Sequence, residues 1–127
     1  MFEQRNHIRY KSLAKVRILD ANIGEALLSD LSITGCRVEC TGCAGLELNK
    51  QYKMEIMPES DANIDAFELL VESLWVSRED YSCEIGFNVS GSPKGKPFWR
   101  YVDYLSWRYF HGSSMTGSGA PESPSEE

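Results

Sequence analysis

The sequence predicts a mainly β fold, six short strands followed by one C-terminal helix. Three observations carry that prediction. Between residues 13 and 89 apolar side chains recur with a period of two in six separate runs. Turn-forming residues separate the runs. After residue 96 the apolar period lengthens to that of a helix.

The first strand covers residues 13–19, with Ala14, Val16 and Ile18 on one face and Lys15 and Arg17 on the other. Asp20 to Gly24 reads as a turn, residues 25–31 as the second strand and 35–40 as the third. In the third, Cys36, Val38 and Cys40 share one face, and Arg37 and Glu39 share the other. Residues 51–57 form the fourth strand, with Tyr52, Met54 and Ile56 in phase. The fifth, residues 66–77, is long and changes phase near Ser73, the mark of a bulge or a barrel corner. The sixth, residues 81–89, keeps Tyr81, Cys83, Ile85, Phe87 and Val89 in phase. Pro97 suits the first turn of a helix, and Phe98, Val102, Leu105 and Tyr109 then define its packed face. That helix is expected to cap an open barrel end or cover a sheet edge.

A chain of 127 residues, 42% hydrophobic, fits one globular domain without staples. Residues 13–110 are expected to form it, between an N-terminal arm (1–12) and a tail (111–127) that is acidic and reads as disordered. A net charge of −6 argues against binding a nucleic-acid polymer. Yet residues 1–17 carry five basic side chains against Glu3 alone, which suits a compact anionic ligand. No run approaches the roughly 18 apolar residues of a membrane span. No apolar segment follows Arg5 to suggest a secretory signal. The expected location is therefore the cytoplasm, with no membrane insertion and with the four cysteines as thiols or metal ligands.

Two constellations carry chemistry. In the arm, Arg5 and Arg9 form R-x-x-x-R, and a guanidinium fork suits phosphate oxygens and the O6/N7 edge of guanine. Between the second and third strands, Asp30-Leu31-Ser32-Ile33-Thr34-Gly35 forms D-x-S-x-x-G. There a carboxylate can accept from N1–H and N2–H₂ of guanine, a hydroxyl can bond a phosphate or base edge, and Gly35 permits a sharp turn and a close ligand. A turn that merely ends a strand is the competing reading of this hexapeptide.

Together, in this order and spacing, the motifs resemble those of the PilZ domain family, bacterial receptors for cyclic di-GMP. Residues 72–76 and 83–87 also look like that family's fifth and sixth strands, so the resemblance spans roughly residues 4 to 109. It implies a six-stranded antiparallel PilZ-type β-barrel with a C-terminal α-helix. It implies that Arg5 and Arg9 clasp phosphate and guanine, that Asp30 and Ser32 hold a base and nearby phosphate, and that Gly35 shapes the loop. Gln4 stands where many members carry a further arginine, so one bound nucleotide and a stacked pair both stay open. Trp75 is a second candidate contact, with a core position as its alternative. The resemblance also implies output through a protein effector, in motility, biofilm, pili or virulence control.

The expected function is thus a binding module with an arm that orders over its ligand, without cofactor, metal or catalytic residues. His7 and His111 join no nucleophile–base arrangement, and there is no Gly-rich phosphate loop. One alternative is a PilZ-like interaction adaptor that binds no nucleotide. Another is a metal domain. Cys36, Cys40 and Cys43 have the C-x₃-C-x₂-C spacing of radical S-adenosylmethionine enzymes, but those enzymes need a longer α/β barrel. With Cys83 added, the set would suffice for tetrahedral zinc.

Overall fold

The computed structural model describes residues 8–91 and 94–111. Seven strands run in the order β1 (Tyr10–Lys11), β2 (Lys15–Ile18), β3 (Ala26–Leu31), β4 (Gly35–Cys40), β5 (Gln51–Met57), β6 (Phe67–Arg78) and β7 (Cys83–Val89), followed by helix α1 (Lys96–His111). All pairings are antiparallel, and the sheet order β3-β2-β5-β6-β7-β4 returns to β3, closing a six-stranded barrel. The expected fold class is therefore the observed one, with β1 as an extra strand.

The alternation seen in the sequence becomes the inside of the barrel. Ala14, Val16, Ile18, Leu28, Val38, Met54, Ile56, Val71, Ile85 and Phe87 are all buried. Closure leaves the central strands no unpaired edge, and burial of this apolar surface is the main stabilising term. The narrowest seam is β2–β3, with only Lys15↔Leu27 and Val16↔Ala26 in register.

β1 continues the line of β2 along β3, after a break at Ser12 to Ala14. Ser12 N donates to Ser29 O and Leu28 N to Ala14 O across that break. Part of the expected arm is thus strand: Tyr10 pairs with Leu31 and Lys11 with Asp30. Residues 1–7, 92–93 and 112–127, with the first seven residues of the arm and nearly all of the expected tail, lie outside the described residues.

Helix α1 buries Phe98, Tyr101, Val102 and Leu105. Tyr101 packs edge-on against Phe67, and its hydroxyl lies 2.8 Å from Ser12 Oγ and donates to Glu59 Oε1 at 2.7 Å. Arg108 donates to Glu59 Oε2 and to the carbonyl of Lys11, both at 2.6 Å. The helix is thereby bound to the barrel end bearing β1 and the start of β6. Two assignments of the sequence pattern change. Tyr109, expected on the packed face, is exposed; its ring meets Tyr10 at 5.5 Å and its helix neighbour Phe110 at 4.9 Å. Tyr81 is 92% exposed, because Glu79 N bonds Ser82 O in a turn and β7 begins at Cys83.

Two one-residue bulges matter for function. In β3 the register with β4 shifts between Leu28 and Asp30, and in β6 the register with β7 shifts between Ser73 and Trp75. Strand residues alternate between faces, so an extra residue reverses the side that follows it. Leu28 faces the core, and without the bulge Asp30 would too; with it, Leu31 takes the core position and Asp30 faces outward. Likewise Phe67, Leu69, Val71 and Ser73 are buried, whereas Trp75 is turned to the outside.

Candidate functional site

Four outward positions are successive cross-strand neighbours: Asp30 on β3, Arg37 on β4, Gly86 on β7 and Trp75 on β6. This row is the candidate site, and both of its ends are placed there by the bulges.

Asp30 is only 6% exposed. Its carboxylate is bracketed by two arginines, Arg9 Nη2 at 3.1 Å from Oδ1 and Arg37 Nη2 at 2.9 Å from Oδ2. The Arg9 contact neutralises charge, but no described residue hydrogen-bonds Oδ1, which is an orphaned, buried acceptor. Leaving such an oxygen unsatisfied costs roughly 1–3 kcal/mol, so a donor from outside the described residues would be stabilising there. Arg37 Nε is likewise buried without a hydrogen-bond partner among the described residues, and Glu84 Oε2 lies 4.0 Å from it. Arg9 itself is half-exposed, and among the described residues its fork is paired only with Asp30, which suits a further anion. On the inner side of β4, Cys36 feels this site: burial chiefly, then the charge of Asp30, pushes its thiol up to about 12, with Arg9 opposing.

The D-x-S-x-x-G hexapeptide spans the β3–β4 hairpin turn. Ser32 is buried, and its Oγ accepts from Thr34 N at 3.2 Å and Gly35 N at 3.1 Å while donating to Gly35 O at 3.2 Å. The hydroxyl expected to meet a ligand is therefore engaged in its own turn, which fixes the loop beside Asp30. Gly35 is required for a reason other than the turn conformation expected. A Cβ there would lie 2.8 Å from the carbonyl oxygen of Phe87 on β7.

Trp75 is 40% exposed, so the core alternative does not hold. Its indole lies across Gly86, where a Cβ would fall 2.2 Å from two indole atoms. Arg5 and Gln4 lie outside the described residues. Of the expected contacts, the structure brings together Arg9, Asp30, Ser32 and Gly35, with Trp75 along the same row.

Sequence reasoning missed Arg37, Glu84 and Gly86. Arg37 was within reach of it. A hairpin centred between Ile33 and Thr34 sets residue 37 opposite residue 30, and alternation already set Arg37 away from the core. Glu84 and Gly86 depend on the β4–β7 pairing, a long-range contact.

The cysteines do not form one cluster. Cys40 pairs in register with Cys83, while Cys36 faces Phe87, four residues back along β4 or about 13 Å. All four are free and buried, and no group of three or more His, Cys, Asp or Glu among the described residues is arranged to hold a metal ion. Burial, then the neighbouring Cys83 and Cys43, raises the Cys40 thiol to about 11. A cleft of about 630 Å³ is lined by residues such as Lys15, Leu27, Glu39 and Met57 on another part of the barrel wall. None of the described motif side chains lines it. No helix among the described residues is long and apolar enough to cross a membrane. Compared with protein-family models and with curated proteins, the chain matches none.

Proposed function

We propose that this chain is a PilZ-type receptor for cyclic di-GMP, a binding module that acts from the cytoplasm on a protein effector. The observation that carries the proposal is the orphaned Oδ1 of Asp30, buried beside Arg9 on the rim of the D-x-S-x-x-G turn. A guanine edge supplies the missing donor, and the phosphates supply an alternative partner for Arg9 and, from the arm, Arg5. Ser32 and Gly35 hold the loop in place, and the Trp75 ring offers a flat apolar surface on the same row.

In this proposal ligand binding draws Arg9 from Asp30 to phosphate. The change reaches the effector through α1, since the next two residues after Arg9 touch the helix: Tyr10 meets Tyr109, and Lys11 O accepts from Arg108. Trp99, Trp107 and Phe110 on the exposed side of α1 favour a second reading, an adaptor that contacts proteins without nucleotide.

Calorimetric titration with cyclic di-GMP, beside Arg9→Ala and with GTP as control, decides between them. The receptor reading expects saturable heat that Arg9→Ala reduces at least tenfold in affinity; the stoichiometry counts one nucleotide or two. Absence of heat from folded, nucleotide-free protein overturns it in favour of the adaptor.

A further inference from the structure

We infer that Arg37 is a positioning residue of this site, which holds Oδ2 of Asp30 so that Oδ1 alone is presented to the ligand. The inference rests on the receptor reading above and adds a residue outside both sequence motifs.

The geometry is specific. Arg37 stands directly opposite Asp30 across the β3–β4 ladder, and its Nη2 reaches Oδ2 at 2.9 Å. On its other side Glu84, cross-strand from Glu39 and two residues before Gly86, faces the Nε. Among the described residues the charged groups paired with Arg37 are therefore Asp30, which Arg9 also holds, and Glu84. The guanidinium sits between two carboxylates, so its long side chain is held toward Asp30 rather than extended into solvent. Its side chain is 42% exposed, less than that of Arg9 at 49%. The two arginines also differ in what they can give up. Both contacts are ion pairs, but Arg9 stands before β1, whereas Arg37 lies within β4, in register with Asp30 on one side and Gly86 on the other. When a ligand draws Arg9 away, Arg37 remains to neutralise the buried Asp30 and to stop its carboxylate rotating. A carboxylate held by one oxygen accepts with the other in a single direction, which is how an acceptor discriminates between base edges.

A double-substitution cycle in the full chain tests this, with Arg37→Met and Asp30→Asn, singly and together, each checked for an unchanged melting profile. The probes are cyclic di-GMP and its hypoxanthine analogue, which lacks the exocyclic amine. If Arg37 acts through Asp30, Arg37→Met weakens cyclic di-GMP binding about tenfold, narrows the preference over the analogue, and adds less than twofold in the Asp30→Asn background. Arg37→Lys restores much of the loss, because an ammonium can also hold Oδ2. Full additivity of the two substitutions would mean direct ligand contact by Arg37 and overturn the positioning role. So would a loss that affects both ligands equally. If the unsubstituted protein binds neither probe, the receptor reading fails first and this assignment fails with it; binding unaffected by Arg37→Met rejects the assignment alone.

Discussion

Asp30 is the residue on which the candidate site turns, because it combines burial, two cationic neighbours and one oxygen without a hydrogen bond among the described residues. Behind it, Cys36 and Tyr101 carry a different consequence of burial. Both are acids whose charged form is opposed by desolvation, so Cys36 rises from 9.0 to about 12, and Tyr101 rises too, chiefly through burial and to a smaller extent through the Glu59 carboxylate. The sign of the pH dependence follows. Below pH 9 neither group ionises in either state. Above it the unfolded chain releases the Cys36 proton while the folded chain keeps it, so stability falls as pH rises from 9 towards 12. Tyr101 adds to the fall above its ordinary value of 10.0. Denaturant unfolding at about pH 8 and about pH 10.5 should show this loss, up to roughly 1.4 kcal/mol per pH unit per group, and a shallower slope for Cys36→Ala. An identical slope in that variant would remove Cys36 as a cause.

Strands and turns were largely legible from the sequence, and the reason is local. A half-buried strand writes its alternation into consecutive residues, and Ala14, Val16 and Ile18 or Cys83, Ile85, Phe87 and Val89 needed no partner to be read. The β6 bulge also left a local trace, the phase change at Ser73, a buried hydroxyl that donates to Glu47 O at 2.6 Å. The β3 bulge did not, since Asp30-Leu31 reads equally well as a strand ending in a polar residue. β1 was hidden because two residues are too few to show a period. Removing the extra residue of a bulge tests its role directly. Deleting Ser29 should turn Asp30 inward and Leu31 outward, lower the melting temperature by several degrees and abolish ligand binding. Deleting Leu74, far from Asp30, should instead bury or displace Trp75 and leave binding through Arg9 and Asp30 detectable. Circular dichroism melts with the same titrations give both readouts, and full binding by the Ser29 deletion would contradict the face reversal.

Across the whole molecule the barrel is unevenly sewn. β4, β6 and β7 pair along six or seven residues each, whereas β2 and β3 share two registered pairs. Native-state amide exchange should therefore be slowest in β4 and β7, and fastest, among the barrel strands, along the β2–β3 seam. Uniform protection of all six strands would show that the Ser12 and Ala14 hydrogen bonds make up for the short seam. The candidate site lies on the well-sewn side, so its row of Asp30, Arg37 and Gly86 rests on a stable wall while Arg9 enters from the first described residues.

The edge-on meeting of Tyr10 with Tyr109 has a consequence for how such a fold can be carried. Its entry and exit stand side by side at one pole of the barrel. A unit with adjoining ends can be spliced into the loop of a larger host, or joined end to end with copies of itself, without any strand leaving the sheet. Whatever chain extends from either end sets out from the same place.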